Sequence, residues 1–336
     1  MKKEPKGIMR GINDELAKAF KECELYKLYE KNKDELFIGV RNNYLNLYYN
    51  CDSIAKVKYI QPKGEKGKRI VCEIDKYYIG GDNSADKRRE PKEICSKYDD
   101  IKTKSDNKEK DNSEKKAQSK LVISNNNNEK SNWFCIDVEY IKQFNSNEEK
   151  ENANFNGRFD IIAISKEQPH RVALIELKYG SGAIGGKSGI YKHIKDFIKF
   201  NCEGFFESHL KQEIVGIIKS QKALGIPVPF DISDKDKFAG PDFFVITLNN
   251  NPEKVKGSTP KQTMAGYLFN DKDKKDRRWD CKRYSKHIIE NDFKIDVTQK
   301  DSTPHVTFLF STATHENGGI EKIIDILDEI NYKEPV

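Results

Sequence analysis

The chain has 336 residues, of which 34% are charged and 36% hydrophobic, and its formal net charge at pH 7 is +6. This length accommodates two domains, while so small a net charge means that a nucleic-acid surface has to be a local patch. No apolar stretch approaches a membrane span, residues 1–6 lack a signal-peptide core, and the seven scattered cysteines show no zinc spacing, so we expect a cytoplasmic protein with reduced thiols.

Residues 1–101 predict a small α+β module with an antiparallel sheet. Helical spacing covers residues 12–29, and four alternating segments then read as strands, at 37–40, 44–49, 54–60 and 69–74. Cations stand among tyrosines here, namely Arg41, Lys56, Lys58 and Lys68 beside Tyr44, Tyr48, Tyr49 and Tyr59. Such a surface suits nucleic acid, but lysines on a sheet edge also protect against aggregation. The module could equally contact a partner protein or sense a ligand.

Residues 102–132 are a low-complexity stretch of polar and charged residues with one short apolar run at 121–123. Sequence of this kind buries too little surface to offset the entropy lost on ordering. We therefore predict a linker or long loop over 102–132 and a second domain over 133–336.

Two neighbouring strands of the second domain carry acids inside apolar sequence. Side chains alternate over residues 172–179, so Glu176 and Lys178 point to the same face. An acid and a lysine in so apolar a strand are costly to bury unless they are paired or hold a metal. Asp160 precedes the apolar run 161–164, and the turn at 166–170 returns the chain as the second strand. The hairpin therefore brings Asp160 beside Glu176.

This pair of carboxylates predicts a site for Mg²⁺, which binds through few carboxylates while keeping waters and phosphate oxygens as ligands. The chemistry indicated is phosphodiester hydrolysis, in which metal ions polarise the phosphate and generate hydroxide while Lys178 orients the nucleophile and stabilises developing charge. A third carboxylate is expected from the strand at 133–140, where Cys135, Asp137 and Glu139 share a face. Glu139 is preferred, although spacing alone leaves Asp137 open.

The order of these features resembles the PD-(D/E)xK nuclease superfamily, the fold of many restriction endonucleases and recombination nucleases. The resemblance covers residues 133–248, with an acid at Glu139, Asp160 opening a strand, Glu176-Leu177-Lys178 on the next strand, and then a helix and a further strand. The chain departs from the family at Phe159, where the family has proline. It departs again at Glu139, which reads as strand-borne rather than helical.

The resemblance implies an α/β fold with a restriction endonuclease-like core, a mixed sheet flanked by helices. It implies that Asp160, Glu176 and Glu139 bind Mg²⁺, with Mn²⁺ as a substitute, and that these acids and Lys178 are catalytic. The expected substrate is nucleic acid, with DNA preferred over RNA, in defence or repair. A homodimer or an activating partner protein is compatible with this expectation, and no membrane is involved.

The tripeptide alone is weak evidence, because acid-x-lysine recurs at 90–92, 106–108 and 292–294 outside any apolar strand paired to an upstream aspartate. A glycine-rich segment at 180–188, ending in Lys187-Ser188, offers a rival prediction, since it is almost a phosphate-binding P-loop. Its glycine spacing fails, and Asp242 begins the next apolar strand where such an NTPase needs an acid at the end. We interpret the glycines as a tight turn that approaches substrate phosphates, with Lys187 as a nucleic-acid-binding cation.

The helix that follows is predicted over 190–198, with apolar residues at helical spacing for packing on the sheet. His193 lies on this helix. In related nucleases a polar residue of this helix often reaches the site, so His193 is a candidate catalytic contact to a metal-bound water or to the phosphate. A histidine hydrogen-bonded beneath the sheet explains it equally well.

Residues 272–287 concentrate cations around aromatic residues, and a nucleic-acid-binding role is predicted for Arg277, Arg278, Trp279, Lys282 and Arg283. The interspersed aspartates also suit a solvated loop that leads into a helix. A late strand at 306–310 and a closing amphipathic helix at 320–330 complete the domain. The sequence as a whole favours a Mg²⁺-dependent nuclease. The competing hypothesis is a non-catalytic nucleic-acid-binding or interaction subunit on the same fold.

Overall fold

The structure is a computed structural model that describes residues 10–79, 88–108, 112–142, 157–180, 190–232, 236–249, 284–289, 292–297, 306–311, 313–316 and 320. The fold is mixed α/β, with an antiparallel sheet and a mixed sheet, each flanked by helices. Within this part of the chain no helix is long and apolar enough to cross a membrane.

The first sheet has five antiparallel strands in the order β1-β2-β3-β4-β5. They are β1 (Leu36–Val40), β2 (Leu45–Tyr49), β3 (Asp52–Ile60), β4 (Arg69–Glu73) and the short β5 (Arg88–Arg89). The four strands predicted from alternation are confirmed. Their inward residues, such as Ile38, Leu47 and Val57, form the core of the module.

Two helices precede this sheet, α1 (Asp14–Lys21) and α2 (Glu24–Lys31), where the sequence predicted one. The Asn13 side chain caps α1 by accepting a hydrogen bond from the Leu16 amide at 2.8 Å. Cys23 is extended and interrupts the helical backbone. Each short helix can therefore turn its apolar face to the sheet independently.

The predicted linker at 102–132 is wrong, because most of this segment is helical. After α3 (Lys76–Ile79) and α4 (Pro91–Ser96) come α5 (Tyr98–Asp106) and α6 (Ser113–Asn127). On α6, three buried residues, Ala117, Leu121 and Val122, pack against the second sheet. One apolar stripe at helical spacing is enough to order a helix when a neighbouring sheet covers that stripe. The average composition of the segment does not reveal the stripe, which is why a linker was predicted.

The second sheet has seven strands in the order β10-β11-β12-β9-β8-β7-β6, with β8/β9 and β9/β12 parallel and the other pairs antiparallel. They are β6 (Trp133–Ile141), β7 (Arg158–Ser165), β8 (His170–Tyr179), β9 (Phe238–Leu248), β10 (Tyr284–Ile289), β11 (Asp292–Val297) and β12 (Val306–Phe310). Between β8 and β9 lie α7 (Ile190–Cys202), a π-helical turn (Phe206–Leu210) and α8 (Lys211–Ala223). The strands predicted at 133–140, 159–164, 172–179, 242–247 and 306–310 and the helix at 190–198 are confirmed, whereas β10 and β11 were not predicted.

Side chains from outside the sheet satisfy the outer edge of β6. The carbonyl of Cys135 accepts from Asn126 of α6 at 2.8 Å, and that of Ile136 accepts from Gln221 of α8 at 2.9 Å. Two arginines serve the rest of the strand: Arg41 donates to the Val138 carbonyl at 2.8 Å and Arg10 to the Ile141 carbonyl at 3.0 Å. An edge covered in this way offers little backbone for pairing with another chain.

A buried ion cluster joins the two sheets. Both oxygens of Asp137 accept from arginines at 2.7 Å, Oδ2 from Arg10 and Oδ1 from Arg41. Arg41 also donates to the Tyr48 hydroxyl at 2.8 Å. Burial lowers the pKa of Arg41, but the Asp137 carboxylate outweighs it and raises the pKa, so the guanidinium stays charged. The prediction of an exposed basic and aromatic surface is therefore wrong for Arg41, Tyr48 and Tyr49, all of which are buried.

Candidate functional site

The candidate site forms where β7 and β8 run side by side. Ile161 pairs with Ile175, which places Asp160 next to Glu176 at the adjacent position of the hairpin. The Asp160 carboxylate accepts a hydrogen bond from the Leu177 amide at 2.7 Å. The hairpin predicted from sequence therefore brings the two acids together as expected.

Three ionisable side chains meet on the face of β8 that Leu174 shares. Lys178 Nζ lies 2.7 Å from Glu176 Oε1, and His193 Nε2 lies 3.0 Å from the same oxygen. Glu176 and Lys178 are only 2% and 6% exposed, so the pair is almost wholly withdrawn from bulk water. His193 thus contacts Glu176 from the helix, while its role toward a metal-bound water or the phosphate stays a prediction.

Phe159 explains how His193 reaches the strand. Its buried ring stacks on Phe197 of α7 with the centroids 5.8 Å apart and meets Phe200 edge-on at 5.1 Å. His193 lies one turn before Phe197 on the same side of the helix. Phe159, the residue before Asp160, thus anchors the helix that carries the histidine.

Burial changes the ionisation of both acids. Burial raises the pKa of Glu176 to about 7, although Lys178 acts in the opposite direction. Burial and the neighbouring Glu176 carboxyl together raise the pKa of Asp160 well above its ordinary value. For Lys178, burial alone would lower the pKa, but the surrounding carboxylates, led by Glu176, outweigh it and raise the pKa. The site therefore holds two crowded carboxyls, each shifted toward its neutral form, next to a lysine that stays protonated.

Two residues of α6 belong to the site and were missed in the sequence. Glu114 Oε1 lies 3.9 Å from Lys178 Nζ, and the Gln118 amide donates to the Asp160 carbonyl at 2.6 Å. They lie one turn apart on the helix, in line with the apolar Leu121 and Val122. This helical spacing could have indicated that Glu114 and Gln118 face the second sheet. The segment was interpreted as a linker, so the spacing was not used.

Glu139 lies beside the site rather than within the Glu176 cluster. A bulge between Cys135 and Asp137 breaks the predicted alternation, so these residues and Glu139 do not share one face. Glu139 itself has a left-handed backbone, φ 52°, and its carboxylate lies 3.9 Å from Arg158. Its charge contributes to the raised pKa of Asp160, after the larger effects of burial and Glu176. Asp137 is committed to the buried ion cluster instead.

The remaining predicted site residues, Lys187, Arg277, Arg278, Trp279, Lys282 and Arg283, lie outside the described residues. The closing helix at 320–330 also lies outside them, except for Ile320. Asp242, which a P-loop enzyme would need near its phosphate site, pairs with Arg171 at 2.9 Å. Asp242 lies midway along β9, whereas Lys178 pairs with Thr247 near the end of the strand. Asp242 is thus six residues before Leu248, whose carbonyl accepts from the Gly180 amide at 2.8 Å.

The donor set suits a hard divalent cation held by few protein ligands. Asp160 and Glu176 supply carboxylate oxygens, with Glu114 and Glu139 nearby on other elements. Across the described ranges, no group of three or more His, Cys, Asp or Glu side chains is gathered closely enough to hold a metal ion. A two-carboxylate arrangement completed by water and phosphate oxygens is a usual one for Mg²⁺.

No protein-family model matches this chain, and no curated protein or solved structure is significantly similar to it.

Proposed function

We propose that the protein is a metal-dependent nuclease of the PD-(D/E)xK type, with DNA as its substrate in defence or repair. Among the described residues, the element order α6-β6-β7-β8-α7-α8-β9 supports a restriction endonuclease-like core, since the acids lie on the second and third strands of that unit. The choice of DNA and of the biological role follows from the resemblance alone.

The observation that carries the proposal is the convergence of Asp160, Glu176 and Lys178 from two adjacent, buried strands. A buried acid pair is costly to keep, and a site that needs those charges is the usual reason for retaining one. Leu174, on the same face of β8, packs in the hydrophobic core, so the acids and the lysine lie beside apolar surroundings.

Asp160 and Glu176 would hold the Mg²⁺, for which Mn²⁺ is the natural substitute. When bound, the cation polarises the phosphate oxygens and neutralises charge that develops during hydrolysis. The raised pKa values of both acids fit this role, because a cation between crowded carboxyls favours their ionised forms.

The chain's own residues supply the rest of the chemistry. Lys178, kept protonated by its acidic neighbours, orients the attacking water and stabilises charge on the phosphate. His193 is placed to orient Glu176 or to donate to the phosphate. Glu114 is the helix-borne acid of this site, which makes it a better counterpart than Glu139 to the helical acid of the family.

The test is cleavage of double-stranded DNA, single-stranded DNA and RNA by the full-length protein with Mg²⁺, Mn²⁺ or EDTA. Lys178→Ala should lower the cleavage rate by roughly 10²-fold or more, as expected for losing one transition-state donor. Lys102→Ala is the matched control, because Lys102 also pairs with a glutamate, Glu35 at 2.6 Å, and neither residue belongs to the candidate site. Cleavage by Lys178→Ala at the parent rate, where EDTA stops the parent, would refute the proposal.

A non-catalytic nucleic-acid-binding subunit is the second candidate, and one observation favours it. Lys178 and His193 already contact a single oxygen of Glu176, an arrangement that could serve only to balance charge inside the fold. For that function, no variant or metal would produce cleavage, and Lys178→Ala would change stability or affinity alone.

A further inference from the structure

The turn between β2 and β3 packs against the helix that serves the candidate site. It consists of Asn50 and Cys51, with φ values of 49° and 54°, which matches a two-residue hairpin turn with both residues left-handed. Glycine is favoured at such positions, yet Cys51 occupies one and is 3% exposed. Its side chain packs in the same hydrophobic cluster as Ala117 and Leu121 of α6. A strained residue kept in place by burial points to a positional role for the turn.

Asp52 follows this turn and is a buried acid bound from three directions. Its Oδ2 accepts from the Tyr78 hydroxyl at 2.9 Å and from Lys108 at 2.7 Å, while Oδ1 accepts from Lys115 of α6 at 3.0 Å. Burial alone would raise the pKa of Asp52, but hydrogen bonds from the two lysines lower it. The carboxylate is therefore ionised at neutral pH and is 6% exposed.

The bond to Lys115 falls between the two site residues of α6. Glu114 lies one residue before Lys115, and Gln118 lies three residues after it. The start of this helix has no side-chain cap, since Asn112 donates instead to the Ser105 carbonyl at 2.8 Å. Asp52 is thus the buried charged anchor at the end of α6 that meets Lys178 and Asp160.

We infer that Asp52 is a positioning residue of the candidate site, acting through Lys115 to hold Glu114 and Gln118 against Lys178 and Asp160. The inference rests on the proposed nuclease function for its catalytic consequence, but not for its structural one. Through Asp52, which begins β3, the first sheet would hold the start of α6 in place at the site.

The experiment compares full-length Asp52→Asn, Lys115→Gln and the double variant with the parent. Loss of an outer residue that orients a metal site typically lowers activity by roughly 10–100-fold. We expect such a fall in kcat for Asp52→Asn with KM nearly unchanged, and faster amide hydrogen exchange over residues 114–122. The double variant should be no worse than Asp52→Asn, because the single variant already loses the ion pair with Lys115.

Glu73→Gln is the matched control, since Glu73 is also an acid contacted by two lysines of this sheet, Lys56 and Lys58, but has no bond to α6. Parent kcat and parent exchange in Asp52→Asn, or an equal loss in Glu73→Gln, would overturn the inference. If Asp52→Asn does not fold, the exchange of α6 in Lys115→Gln decides, because Lys115 is 41% exposed and its removal leaves the core intact, whereas kcat in that variant also reflects the charge of Lys115 near Glu139. If the parent cleaves nothing, the nuclease proposal fails, and the exchange of α6 still decides the role of Asp52.

Discussion

Glu176 lies on β8, where eight of the ten residues are buried, and Lys178 and His193 contact one of its oxygens. Its pKa is raised from 4.5 to about 7 by burial. A carboxyl whose folded pKa exceeds its unfolded value contributes stability below the unfolded pKa and loses that contribution as pH rises through the folded one. For Glu176 the window is therefore pH 4.5 to about 7, and above it the ionised acid destabilises the fold. A shift of this size corresponds to about 3 kcal/mol.

We predict that stabilisation of the protein by Mg²⁺ increases with pH and levels off above about pH 7, because a cation held by Glu176 as proposed would bind its ionised form. The rise in Tm on adding Mg²⁺ should be measured from about pH 5.5 to about pH 8.5. Glu176→Gln, which cannot ionise, should show a smaller rise with little pH dependence. A Mg²⁺ effect that is the same at both ends of this range would contradict the assignment of Glu176 as a ligand.

Side chains from separate parts of the chain form hydrogen bonds with the backbone at the outer edge of β6. Asn126 pairs with both backbone groups of Cys135, accepting from its amide at 2.8 Å and donating to its carbonyl at 2.8 Å. The Asn126 amide thus makes the two backbone hydrogen bonds that a neighbouring strand would otherwise make with Cys135. The interaction also fixes the C-terminal end of α6, while Asp52 fixes its start.

We predict that Asn126→Ala destabilises the protein by about 1–3 kcal/mol, because it leaves two backbone groups of β6 without a partner. The free energy of unfolding should be measured by urea denaturation. Asn127→Ala is the matched control, since Asn127 is exposed and donates only to Asp34 at 3.0 Å. Equal losses in the two variants would show that the asparagine run matters for helix propensity and not for the strand edge.

Strands β6 to β9 and helix α7 could be predicted because each has its own local signal, a run of apolar or alternating residues. The Asp160–Glu176 pair followed from one short hairpin. Glu114 and the burial of Arg41 could not be predicted in the same way. Arg41 is buried because Asp137, 96 residues away, supplies its partner, and local sequence carries no record of that contact. The β6 bulge likewise depends on a strand pairing that alternation cannot reveal.

At the scale of the molecule, the two sheets share one hydrophobic cluster, which runs from Leu16 and Ile38 to Ile162 and Leu174. The Asp137 cluster lies where they meet, and Tyr140 beside it donates to Glu213 of α8 at 2.6 Å. The segment predicted as a linker, 102–132, is mostly helical, and the division into two domains on either side of it stays a prediction. The shared core nevertheless argues that the first sheet does not unfold by itself.

We predict that the parent unfolds in a single transition and that Asp137→Asn lowers the free energy of unfolding by about 3–5 kcal/mol, because two buried arginines lose the charge that balances them. Urea unfolding should be followed by circular dichroism and by tryptophan fluorescence, for which Trp133 of β6 is a buried reporter. Asp242→Asn is the matched control, since the Arg171–Asp242 pair is partly exposed and should contribute about 1 kcal/mol or less. Two separate transitions in the parent would mean that the sheets unfold independently. If Asp137→Asn lowers the free energy of unfolding no more than Asp242→Asn does, the cluster does not join the sheets. Coincident transitions with a large loss only at Asp137 would make the charge cluster the link through which the first sheet supports the strand edge next to the candidate site.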